Sequence, residues 1–136
     1  MKIRYLILIF LIISCGRGKT PEVVFDISAQ TGLSIDEIRK KLVDGQNGVK
    51  ASPDYKESEG IDIYIKNGKN LYIYYDRKSR EVISFLLVST DEKFAKIDDI
   101  LKIGNLDTIN PAYSLEADKS FWDRDTYSSV TVYPKK

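Results

Sequence analysis

Apolar and polar positions alternate in different rhythms along this chain, and each rhythm predicts an element. Residues 5–13 are an unbroken apolar run, preceded by Lys2 and Arg4 and closed by Ser14-Cys15-Gly16. A membrane-spanning helix needs about 20 apolar residues, so this run is too short to remain as a span. A basic start, an apolar segment and small residues at the end make a secretory leader instead. Gly16-Arg17-Gly18-Lys19 then reads as a short solvated tether. The predicted organisation is a leader over residues 1–14, a tether over 15–19 and one domain over 20–136.

Within that domain, Thr20-Pro21-Glu22 looks like a helix start, and Val23, Val24 and Ile27 fall on one helical face before Gly32. A short extended segment over residues 23–27 is the alternative reading. Ser34 and Glu37 stand at capping-box spacing. Behind them, Ile35, Ile38 and Leu42 share a face, and Arg39, Lys40 and Lys41 fall in the last turns, where the helix dipole favours cations. Dipole compensation on a solvated face is the favoured reading of those three charges. The periodicity lapses from residue 46 to 60, which predicts a loop.

Next comes a strand pair. Ile61, Ile63 and Ile65 alternate with Asp62, Tyr64 and Lys66, and after Asn67-Gly68 the alternation resumes with Leu71, Ile73 and Tyr75. Asn-Gly favours a two-residue hairpin loop, but that loop would split the aliphatic residues between the two faces. An odd loop of Lys66-Asn67-Gly68 pairs Ile63 with Leu71 and Ile61 with Ile73, and makes one face aliphatic. The other face would then carry Asp62, Tyr64, Tyr72 and Tyr74. Residues 82–88 are apolar at nearly every position and predict an innermost strand covered on both faces. Ile97, Ile100 and Leu101 predict a short helix ending near Gly104. Residues 113–117 and 127–133 predict two further strands, with Pro134 ending the pairing. The order implies an α+β fold: an antiparallel meander with helices packed on one face.

Ile12-Ile13-Ser14-Cys15 resembles the lipobox of bacterial lipoproteins, an aliphatic residue, a tolerant position, a small residue and an obligatory cysteine. The resemblance implies cleavage before Cys15, a diacylglyceryl group on its sulfur, palmitate-type acylation of the new amino terminus, and a lipid-anchored product in the bacterial cell envelope. Gly16 stands where many Gram-negative lipoproteins carry an inner-membrane retention aspartate, so outer-membrane sorting is the expectation in such a host. The helix-helix-meander order, with Gly32-Leu33-Ser34 and Asp36-Glu37-Ile38 ahead of the strands, also loosely resembles small outer-membrane assembly lipoproteins and beta-lactamase-inhibitor-like domains. In those families the domain binds another protein.

Charge and composition narrow the chemistry. The chain has 21 basic and 20 acidic residues; cleavage before Cys15 removes Lys2 and Arg4 and leaves 19 against 20. Capture of nucleic acid through clustered Lys and Arg is not expected from that balance. Histidine is absent and Cys15 is the sole cysteine, which removes His-dependent triads, His-ligated zinc and disulfides from consideration. No cofactor, metal site or catalytic residue is assigned. Acids gather in places, at Asp98 with Asp99, at Asp118, and at Asp123 with Asp125; adjacency in sequence does not supply opposed glycosidase carboxylates, and residues 118–125 lack the ligand spacing of a calcium loop.

Nine tyrosines are the enriched feature. Tyr64, Tyr72 and Tyr74 on one sheet face, with Phe121, Trp122 and Tyr127 near the last loop, form the candidate binding surface, because aromatic residues with polar tips are favoured at interfaces. The same residues are also good strand formers. The sequence thus predicts a non-enzymatic envelope lipoprotein that holds membrane lipid through Cys15 and binds a protein or envelope component. A histidine-free carboxylate hydrolase of envelope glycans or lipids, and a structural spacer, are the competing classes.

Overall fold

A computed structural model describes residues 20–49 and 56–136. The leader, the tether and Cys15 lie outside the described residues, as does part of the expected 46–60 loop. The described chain is an α+β fold: one six-stranded antiparallel sheet with its helices on one face.

The strands are β1 (Gln46–Val49), β2 (Glu59–Lys66), β3 (Lys69–Asp76), β4 (Val82–Ser89), β5 (Tyr113–Lys119) and β6 (Tyr127–Pro134). The helices are α1 (Ile35–Lys41) and α2 (Ile97–Ile103). The sheet order is β1-β2-β3-β4-β6-β5. Four strands run as a meander, and the last hairpin then enters with β6 beside β4 and β5 on the outer edge. The second edge strand, β1, forms inside the segment expected to be a loop. Its weak pattern, Gln-Asn-Gly-Val, gives little sequence signal, and its antiparallel pairing with β2 supplies the order.

The hairpin between β2 and β3 corrects the expected register. Lys66 pairs with Lys69, Tyr64 with Leu71 and Ile63 with Tyr72, so the loop is the two-residue Asn67-Gly68. Both residues have positive φ, 49° and 69°, as the favoured two-residue hairpin turn requires. The aliphatic residues do split between faces. Parity fails as a guide because a polar pair seals one face: Asp62 and Tyr64 lie under the helices with Leu71, Ile73 and Tyr75, while Ile61, Ile63, Ile65, Tyr72 and Tyr74 occupy the other side.

The amino-terminal helix is also corrected. Residues 23–27 are not helical; Phe25 and Ile27 are buried with exposed Asp26 between them, the period of an extended segment. The amides of Val24 and Phe25 donate to the Ile103 carbonyl, and that of Ile27 to the Gly104 carbonyl, so this segment caps the open end of α2. A 3-10 turn, Ser28–Gln30, follows. The capping box of Ser34 and Glu37 forms as expected and starts α1.

Ile27, Ile35, Ile38, Ile100 and Ile103 meet Leu71, Ile73, Phe85, Leu87, Val130 and Val132 in one core. β4 is interior, as expected, but it is covered on one face: Phe85 and Leu87 are buried, and Leu86 and Val88 are half-buried on the other side.

Candidate functional site

The helix-covered face hides charge. Asp62 is fully buried and accepts Arg39 Nε at 2.7 Å, Arg39 Nη2 at 2.8 Å and the Gly48 amide at 2.8 Å. Arg39 Nη2 also donates to the Tyr75 hydroxyl at 3.1 Å. The forked guanidinium matches both carboxylate oxygens, the strongest form of such pairing. The Asp62 hydrogen bond holds the Arg39 guanidinium even further above its ordinary value than burial pulls it down. Arg80 and Arg39 both lie over the Tyr75 ring, at 5.2 and 5.4 Å, and Arg80 in turn clamps Asp36 on α1. The assembly latches α1 to the sheet.

A cation is buried as well: Lys69 is 3 % exposed. It donates to Asp91 and Glu92 and sits 5.9 Å from the Phe94 ring centroid. Burial pulls this ammonium down, but the hydrogen bonds and charges of Asp91 and Glu92 outweigh it, so its pKa is raised. A raised value suits a structural cation; a nucleophilic lysine needs the opposite shift. Lys69, Asp91 and Glu92 line a shallow pocket of about 260 Å³ with Thr20, Pro21, Glu22 and Asn67.

The opposite sheet face carries Ile61, Ile63, Ile65, Tyr72, Tyr74, Leu86 and Val88, none of which joins the core shared with the helices. Exposure rises along β2 from 7 % at Ile61 to 66 % at Ile65. Tyr72 and Leu86 are cross-strand partners, and Ile63 lies beyond Tyr72 in the same row. This row is a half-buried apolar band with polar Thr131 beside it on β6.

The predicted binding residues therefore divide. Tyr64 is buried, its hydroxyl 3.4 Å from the Asn47 side chain and its ring against Gly45; burial raises its pKa. Tyr72 and Tyr74 share the open sheet face. Tyr127 is half-buried, packed against the core and bridged to Phe94. Phe121 and Trp122 stand apart in the β5–β6 turn, each 85 % exposed. Their rings touch edge to face with centroids 5.1 Å apart.

The gathered acids serve local structure in part. Asp123 accepts the Asp125 amide within its turn, and Asp118 accepts the Ser129 hydroxyl. Among the described residues, no three acidic side chains gather as a metal-binding group, and no helix is long and apolar enough to cross a membrane. Sequence reading missed the Asp62–Arg39 latch and buried Lys69. The available signal was phase: Asp62 and Lys69 occupy positions that the Asn-Gly turn places on the same face as Leu71 and Ile73.

No protein-family model matches the chain, and neither the curated proteins nor the solved structures yield a significant match.

Proposed function

We propose that this protein is a lipid-anchored envelope lipoprotein, held by an acylated Cys15, whose small domain binds another envelope protein through the open sheet face. The observation that carries the binding reading is the cross-strand row of Ile63, Tyr72 and Leu86, apolar and half-buried outside the shared core. A sheet face with polar solvent-side residues needs no partner; an apolar one gains from being covered. Aromatic and aliphatic residues on a rigid sheet supply large contact area at low entropic cost. The lipobox-like Ile12-Ile13-Ser14-Cys15 supports the anchor, since acyl chains rather than a spanning helix would then hold the domain at the membrane.

Photo-crosslinking in intact cells tests the binding face. A photoreactive residue at position 72 or 86 should give a discrete protein adduct, and the same residue at exposed Lys41 on α1 should not. Equal, diffuse labelling from all three positions would remove the sheet face as an interface.

A further inference from the structure

The strand registers place three turns at one end of the sheet. Lys66 pairs with Lys69, Lys69 with Ser89, Val88 with Ser129, and Lys119 with Tyr127. The Asn67-Gly68 turn, the segment after β4 and the 120–126 turn therefore project from the same edge. Thr20 is there as well, lining a pocket with Asn67, Lys69 and Asp91. Four residues separate Cys15 from Thr20, and the five Cα-to-Cα steps between them span at most about 18 Å. A domain anchored at Cys15 thus presents this end to the bilayer. Neighbouring strands lie about 4.8 Å apart, so the 120–126 turn sits roughly 14 Å across the sheet from the Asn67-Gly68 turn, three strand spacings away.

At this end the chain exposes Phe121 and Trp122. The turn does not need them: Ser120 N–H donates to the Thr126 carbonyl at 2.7 Å, and Thr126 N–H to the Asp123 carbonyl at 3.1 Å. Its remaining bonds also come from Asp123 and Thr126. Lys119, Asp123, Arg124 and Asp125 are exposed around the aromatics and balance in charge, so the turn neither repels nor requires anionic lipid. Two adjacent exposed rings on a preformed turn at the anchor end of the sheet fit the headgroup boundary, where Trp is enriched because its ring is apolar and its N–H is polar.

We infer that the Phe121-Trp122 turn is a second membrane contact, seated in the interfacial layer of the bilayer beside the lipid anchor, and that it fixes the orientation of the domain. This inference rests on the anchored reading of Cys15. With the turn and the anchor both down, the sheet stands on the membrane with its strands rising from it, and the Ile63-Tyr72-Leu86 row is left facing sideways, open to a neighbouring protein.

Trp122 is the sole tryptophan, so its fluorescence reports on the turn alone. The full-length processed protein is reconstituted into vesicles of phosphatidylcholine and phosphatidylglycerol, and its acylation is read by mass spectrometry. A non-acylated Cys15 would defeat the anchor alone. For the turn, the expected result is blue-shifted Trp122 emission that is quenched by bromine on the upper acyl chain and shielded from aqueous iodide. In the unlipidated Cys15→Ala chain, Phe121→Ser, which keeps the probe, should raise the lipid concentration needed for half-maximal shift at least about tenfold, the scale of burying one large apolar side chain. Water-like emission with full iodide quenching on vesicles overturns the inference. So does a Trp122 shielded only after solubilised envelope protein is added, which would give the turn to a protein partner.

Discussion

The β2–β3 and β5–β6 hairpins belong to one sheet and treat their side chains in opposite ways. The first buries Asp62 beneath α1 and Lys69 beside Phe94, Asp91 and Glu92, while the second leaves Phe121 and Trp122 in water. Hydrophobicity alone predicts the reverse. The difference lies in partners: Asp62 has a forked guanidinium and a backbone amide, Lys69 has two carboxylates, and among the described residues the aromatic pair has only itself. A buried charge with complete hydrogen bonding can stay inside a core. Conversely, two exposed rings on a turn that closes without them point to something outside the fold.

Breaking the buried side of this comparison should have the largest effect. Arg39→Ala leaves Asp62 uncompensated inside the core and should cost about 3–5 kcal/mol in urea unfolding. Replacing both partners, as Arg39→Met with Asp62→Leu, should recover much of that loss, because no lone charge remains. A double variant as unstable as the single one would show that the pair is not the latch.

Next in size are the tight approaches that shape the β2–β3 hairpin. A Cβ at Gly60 would enter the Tyr75 ring, so Gly60→Ala should cost about 1–3 kcal/mol through overpacking. Gly68→Ala meets Asp91 and adopts a left-handed φ, which should destabilise by about 1 kcal/mol or more. Thermal unfolding of the two variants checks both.

The charge pairs give a smaller, pH-dependent effect. Hydrogen bonds from Arg80 hold Asp36 below its ordinary 3.8, those of Ser34 hold Glu37 below 4.5, and that of Lys69 holds Asp91 below 3.8. Lowered carboxylates contribute fully above those ordinary values, and the contribution is lost as pH falls through the depressed ones. Lys69 is raised above 10.5, so its contribution is full below 10.5 and is lost as pH rises through its higher folded value. Stability measured against pH should therefore be flat between about 4.5 and 10, where Tyr64, raised above its ordinary 10.0 by burial, begins to add to the alkaline loss, and fall on both sides. Lys69→Met should flatten the alkaline fall.

Much of the architecture was legible in the sequence, and the losses have physical causes. The Ser34-Glu37 box, α2 with its stop at Gly104 and the β4, β5 and β6 strands could be read because local chemistry and tertiary structure agree there. The β2–β3 register could not, because aliphatic parity was weighed above the Asn-Gly turn, and no pattern in β2 announces that Arg39, far along the chain, will neutralise Asp62. The amino-terminal segment carries a helix-start signal in Thr20-Pro21-Glu22, yet the unsatisfied carbonyls at the end of α2 draw it into an extended cap. Of the candidate surface, Phe121 and Trp122 stand exposed, Tyr72 and Tyr74 share one face, and Tyr64 crosses to the other with the corrected register.

The smallest expected effect tests the contrast between the hairpins most directly. Phe121→Ser with Trp122→Ser, followed by circular dichroism in urea, should leave stability within about 0.5 kcal/mol of wild type, as for surface sites that take no part in folding. A loss above about 2 kcal/mol, the scale of core truncation, would show that the two rings serve the fold itself and would contradict their assignment to the membrane.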